Sequence, residues 1–183
     1  MLMQLKNKQR GFSLLEALLS IVIILAAGLG VVELFISADK RNKVNTTQQI
    51  IQQAASAASQ LISTSYGDTA AASTLTVVNS GLMSSSYING TGIVGPYGAI
   101  TVTQDGNSQF YVTADNIPGA QAVSLCQNMF ASSAISTSTE GGGTSYVSSV
   151  ASCVSSFGED SSTPVAMTFY FPRENYVANA TTE

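Results

Sequence analysis

Apolar residues fill the chain almost without interruption from Phe12 to Phe35 and then thin into a spaced pattern. From Ala17 to Val32 no position is charged, and between Phe12 and Phe35 the only charges are Glu16 and Glu33. At about 1.5 Å per residue, Gly11 to Phe35 predicts a helix of roughly 35 Å, enough to cross a hydrocarbon layer of about 30 Å. Beyond Ala38 the charges Asp39, Lys40, Arg41 and Lys43 mark the exit from the apolar run. Ile51, Ala54, Ala55, Ala58, Leu61 and Ile62 then recur at helical spacing, while Gln48, Gln49, Gln52, Gln53, Ser56 and Ser59 fill the opposite face. No proline interrupts Phe12 to Ser63, so the two patterns predict one continuous helix, apolar on every side at first and amphipathic afterwards. The amphipathic half is expected to lie half buried on a head formed by the rest of the chain.

Tyr66, Gly67 and Asp68 are expected to end the helix. Thr74 to Val78 is a short strand or helix, and Ser80 to Tyr97 reads as loop, carrying Gly81, Gly90, Gly92, Gly95 and Pro96. Ala99 to Thr103 and Gln109 to Thr113 flank the turn residues Asp105, Gly106 and Asn107, the clearest antiparallel hairpin in the sequence. Asn116, Ile117 and Pro118 introduce a short helix near Gly119 to Met129. Ser132 to Ser145, rich in Ser and Thr and containing Gly141, Gly142 and Gly143, reads as a mobile surface loop; Tyr146 to Cys153 is weakly strand-like. Val165 to Phe171 is the strongest strand, expected at the centre of a small antiparallel sheet because Pro164 and Pro172 stand only at its ends. The fold class is α+β: a long N-terminal helix on a small antiparallel-sheet head.

The charges before the apolar run, Lys6, Lys8 and Arg10, are all basic, which holds the short leader on the cytoplasmic side and sends the rest outward. Gly11 follows them, and five residues later Glu16 stands inside the apolar run with no Lys or Arg within helical reach beyond it. A charge in hydrocarbon costs about 2.5 to 3.5 kcal/mol at mid-membrane, so Glu16 asks for a partner. If the chain were cut after Gly11, the new amino group on Phe12 of a neighbouring copy could supply it. The alternative is a plain signal anchor in which Glu16 rests among lipid headgroups.

Gly11, Phe12, Ser13, Leu14, Leu15, Glu16 and the apolar run resemble the processing site and N-terminal helix of type IV pilins and their relatives. The resemblance implies a prepilin peptidase cutting between Gly11 and Phe12 and N-methylating Phe12, with Glu16 as the assembly acid at the fifth mature position. Its implied organisation is a leader over 1–11, a transmembrane and filament-core helix over 12–37, the amphipathic half over 38–65 and a globular αβ head over 66–183. Gly28 and Gly30, weak points in an aqueous helix, could allow close helix packing or flexibility in lipid. The segment Ile117, Pro118 to Ser124, Leu125 and Cys126 is most like the type IVb class, which includes thin conjugative pilins; the leader of 11 residues and the Phe12 start are the habit of type IVa. The implied product is a homopolymer of many copies, supporting adhesion, aggregation or conjugation. Its partners would be the lipid bilayer before assembly, the peptidase, an inner-membrane assembly platform and an outer-membrane secretin. The subunit would pass from the bacterial inner membrane to an extracellular filament. A minor pilin or secretion-system pseudopilin is the alternative, and from another class a membrane-anchored extracytoplasmic binding module that never polymerises.

Composition narrows these expectations. Three of the seven basic residues lie in the leader, so the mature chain would set four against all eleven acidic residues, a net charge of −7, which argues against a nucleic-acid partner. Charged residues make up only 10% of the chain, so solubility rests on Ser, Thr, Asn and Gln, as suits a protein packed against copies of itself. There is no histidine, which excludes the common catalytic triads and most zinc sites; no catalytic residue, metal ligand or cofactor is expected. Cys126 and Cys153, the two cysteines of an exported chain, read as one disulfide. The closed loop of about 28 residues would contribute roughly 3 to 4 kcal/mol on the chain-entropy view.

Overall fold

The computed structural model describes residues 14–65, 71–105, 109–138, 144–158 and 163–173, with side chains left out at 26–30, 137–138 and 144–145. The expected helix-ending residues Tyr66 to Asp68, the Gly106 and Asn107 turn, the Gly141 to Gly143 run and the polar tail lie outside the described residues.

Helix α1 runs from Leu14 to Thr64 without a break, as the absence of proline and the helical periodicity require. The chain divides into two units, Met1–Asp39 and Lys40–Glu183. In the first unit the described side chains of α1 are exposed throughout. Among the described residues no helix is long and apolar enough to cross a membrane. The described apolar side chains fall into two blocks, 14–25 and 31–36. Each is shorter than the roughly 20 residues that a span needs. Phe12, Ser13 and positions 26–30, which the expected 12–37 span includes, lie outside that description.

The second unit holds α1 from Lys40 onward and a seven-stranded antiparallel sheet. After α1 come α2 (Thr74–Asn79), a 3₁₀ turn (Ser85–Tyr87), and strands β1 (Ile88–Asn89), β2 (Gly92–Val94), β3 (Ala99–Gln104) and β4 (Phe110–Ile117). Helix α3 (Gly119–Met129) leads to β5 (Ala134–Ser138) and β6 (Thr144–Tyr146); α4 (Ser152–Phe157) and β7 (Val165–Phe171) complete the unit. The strand order is β1-β2-β3-β4-β7-β5-β6. The chain therefore builds two partial sheets, and the last strand joins them by pairing with β4 on one side and β5 on the other.

Alternation decides which face is buried. Ile100 and Val102 on β3, Phe110, Val112 and Ala114 on β4, and Met167 and Phe169 on β7 turn to the core. On α1 the core receives Val44, Ile50, Ile51, Ala54, Ala55, Ala57, Ala58 and Ile62, and on α3 Ala122, Val123, Leu125, Cys126 and Met129. The alanines allow helix backbone to come close to its neighbours, and the Gln52 amide reaches the Met129 sulfur at 3.9 Å. Thr47 is buried among these apolar residues because its hydroxyl donates to the Lys43 carbonyl at 2.8 Å.

Of the two alternatives for Thr74 to Val78 the chain takes helix, begun by a capping box in which the Ser73 hydroxyl accepts from the Thr76 amide and the Thr76 hydroxyl accepts from the Ser73 amide. Three expectations need correction. Ser80 to Tyr97 is not all loop, since it contains β1 and β2, paired antiparallel with each other. The largest difference is Ser132 to Ser145: instead of a surface loop it supplies β5, inside the sheet and paired with β7 from Ala134 opposite Tyr170 to Thr137 opposite Met167. Its Ser and Thr residues are small or β-branched and fit a pleated surface once Ile135 points to the core. Ser133, fully buried, donates from its hydroxyl to the Met129 carbonyl at 3.1 Å. Of the weakly strand-like Tyr146 to Cys153 segment, only Tyr146 belongs to a strand, and Ser152 opens α4.

Candidate functional site

Of the sequence-derived positions, Glu16 lies in the first turn of α1, where the helix dipole favours an acid, and its side chain is exposed. The Ser20 hydroxyl donates to the Glu16 carbonyl at 2.8 Å, one turn on. Gly28 and Gly30 fall within α1. Gly11 and Phe12, the expected processing pair, lie outside the described residues.

Beyond Glu16 and Ser20 the helix is apolar on all sides. Leu14, Leu15, Leu18, Leu19, Ile21, Val22, Ile23, Ile24 and Leu25, followed by Val31, Val32, Leu34, Phe35 and Ile36, are 51 to 81% exposed. At 100° per residue, positions 21–25 alone pass through more than one full turn, so no polar stripe exists for water to cover. Such a surface calls for lipid or other protein around its whole circumference.

Cys126 on α3 and Cys153 on α4, both fully buried, form a disulfide with their Cα atoms 5.9 Å apart. In chain order the two Cys-bearing helices stand on either side of β5 and β6. The bond therefore ties the second partial sheet to the helix that precedes it.

The face of the sheet away from the core carries Tyr111, Tyr170 and Tyr146. Tyr111 and Tyr170 are cross-strand partners with ring centroids 5.4 Å apart, and Tyr146 meets Tyr170 edge-on at 5.3 Å. Burial, then the neighbouring Tyr170 and Asp105, push the Tyr146 hydroxyl above its ordinary value. Beside them the Thr113 and Thr168 hydroxyls lie 3.1 Å apart across the same strand pair. Arg173, the only basic residue after Lys43, has its guanidinium 4.3 Å above the Phe130 ring. The head thus offers no basic stripe between its tyrosines. Among the described residues no group of three or more His, Cys, Asp or Glu could hold a metal ion.

Three further structural residues stand outside the spaced sequence pattern. Val44 and Ile50 belong to the buried stripe of α1 but precede the spaced pattern that begins at Ile51. Thr74 is the third. Beyond the end of β2, its hydroxyl accepts from the Val102 amide at 2.8 Å and lies 3.2 Å from the Val102 carbonyl, so one side chain satisfies an open stretch of the β3 edge. Only the fold could reveal that pairing.

Residues 6–32 match the family model described as the prokaryotic N-terminal methylation motif. No curated protein matches the chain. The chain thus carries an N-terminal methylation motif characteristic of type IV pilin-like proteins, on an α+β fold with a long N-terminal helix and one disulfide.

Proposed function

We infer that the protein is a pilin: a structural subunit that polymerises into a type IV pilus after cleavage between Gly11 and Phe12. The observation that carries this reading is the helix surface of the described apolar side chains at 14–25 and 31–36, exposed around its circumference and overlapping the N-terminal methylation motif matched over residues 6–32. The sequence from Phe12 to Ser37 first holds the subunit in the inner membrane, the Lys6, Lys8 and Arg10 leader remaining cytoplasmic. After the peptidase removes the leader, many copies bundle their helices into a filament core at an assembly platform and leave through a secretin. The heads, held by Cys126–Cys153, tile the surface and perform the adhesion, aggregation or conjugation for which the filament is made. Within the filament Glu16 neutralises the Phe12 amine of a neighbour, a pair that is strong only where water is excluded.

The motif is shared by minor pilins and pseudopilins, and abundance separates the first from a main subunit. The disulfide-tied head favours a pilin over a pseudopilin. The test is intact-mass and N-terminal analysis of the protein from its own cells, in membrane and sheared surface fractions. A chain starting at N-methylated Phe12 and abundant in the sheared fraction supports the reading. An intact chain confined to the membrane overturns it in favour of an anchored binding module.

A further inference from the structure

Beyond Glu16, five charged residues stand on α1 inside its second apolar block or just past it: Glu33, Asp39, Lys40, Arg41 and Lys43. Glu33 is flanked by the exposed apolar side chains of Val31, Val32, Leu34, Phe35 and Ile36. Glu33, Lys40 and Arg41 are all exposed, and no ion pair joins any of them to another described residue. When the surrounding apolar surface is covered by protein, Glu33 loses its water, and a desolvated carboxylate needs a cation. The spacing supplies one. Seven residues fall about 20° short of two helical turns, so Glu33 and Lys40 share a face about 10.5 Å apart along the axis, with Arg41 beside that face.

We propose that α1 recognises a second copy of this chain in parallel, staggered by seven residues, with Glu33 of one copy paired to Lys40 and the adjacent Arg41 of the next. The proposal rests on the filament reading above and adds a register to it. Charge complementarity and the apolar blocks choose the orientation together. In a parallel pair with this stagger, residues 14–32 of one copy lie beside 21–39 of the other, apolar against largely apolar. An antiparallel pair with the same contact would set 14–32 beside 41–59, whose outer face is glutamine and serine and whose inner face is already in the head core. That arrangement leaves the apolar run uncovered. The parallel stagger also suits Glu16: counted along the sequence, the Glu16 level of the second copy lies three residues, about 4.5 Å, beyond Phe12 of the first. That is the side toward which the amine at a helix N-terminus points.

The experiment is a charge swap in the full-length protein in its own cells, read as filament in the sheared fraction. Membrane levels and the intact disulfide on a non-reducing gel verify that each variant is made and its head folded. Glu33→Lys is expected to lower sheared filament about tenfold or more, since three cations then converge in an apolar bundle. Combining it with Lys40→Glu and Arg41→Glu is expected to restore filament. As a second readout, the double variant Glu33→Cys with Lys40→Cys should give a ladder of oligomers with a short bis-maleimide, and neither single variant should. A Glu33→Lys variant that assembles like the wild type, or a swap that restores nothing, overturns the register. Absence of filament from the wild type overturns the filament reading instead, so the two failures are distinguishable.

Discussion

The two halves of α1 share a backbone and differ in where their partners lie. From Lys40 onward one stripe of the helix, Val44 to Ile62, is buried against the protein's own head, and the glutamines and serines opposite meet water. From Leu14 to Ile36 the described apolar side chains are exposed on every side. A one-sided pattern can be satisfied within a small domain, because one face of a helix is all that a sheet can cover. An all-round pattern calls for several neighbours at once. The second half thus belongs to folding, and on the proposed reading the first half belongs to assembly.

Substitution at matched apolar positions tests the distinction most strongly. Ile51→Ala removes a fully buried side chain and should cost about 2 to 5 kcal/mol in denaturant unfolding of the detergent-solubilised chain. Leu18→Ala, in the exposed half, should move the same midpoint by no more than about 0.5 kcal/mol. Its effect should appear as reduced filament. Equal losses at the two sites would abolish the comparison.

Removing the disulfide with Cys126→Ser and Cys153→Ser should cost the head roughly 3 to 4 kcal/mol. Far-ultraviolet dichroism followed during heating should show the loss as an early transition of the head. A smaller effect is expected at the α2 cap, where Ser73→Ala should cost about 1 kcal/mol in the same unfolding measurement. The smallest effect is electrostatic. Because burial raises the Tyr146 pKa, the folded head holds that proton more tightly than the unfolded chain does. Its contribution is therefore complete below about pH 10, the ordinary tyrosine value, and fades as the pH rises through the folded value. Tyr146→Phe should flatten the alkaline decline of the melting temperature, and an unchanged slope would remove Tyr146 as its source.

Much of this architecture could be read in the residues because the signals are short in range. The limits of α3, Gly119–Met129, follow from Pro118 at its start and from apolar residues spaced by three and four. The β3–β4 hairpin is visible as two alternating runs around turn residues, and β7 as an aromatic-rich run between prolines. At Asn116, with φ of 59°, β4 bulges before α3, and the register with β7 shifts between Ala114 and Ile117. Nothing in the local sequence marks that displacement except an asparagine that tolerates the left-handed region. Strand β5 is not legible in the residues: its Ser and Thr composition is that of a loop, and its partner β7 lies about 30 residues further on.

By itself the sequence determined that a long helix begins near the N-terminus, that its first half is apolar all round while its second half is amphipathic, and that two cysteines are available to pair. These are matters of composition and of periodicity within a few turns, and a helix closes its hydrogen bonds within four residues. Tertiary structure decided that β7 joins the two partial sheets, that a serine-rich segment becomes an internal strand, and that the Thr74 hydroxyl finishes the β3 edge. Strand pairing satisfies backbone groups with partners far along the chain, so its outcome depends on which edges remain open when the chain folds.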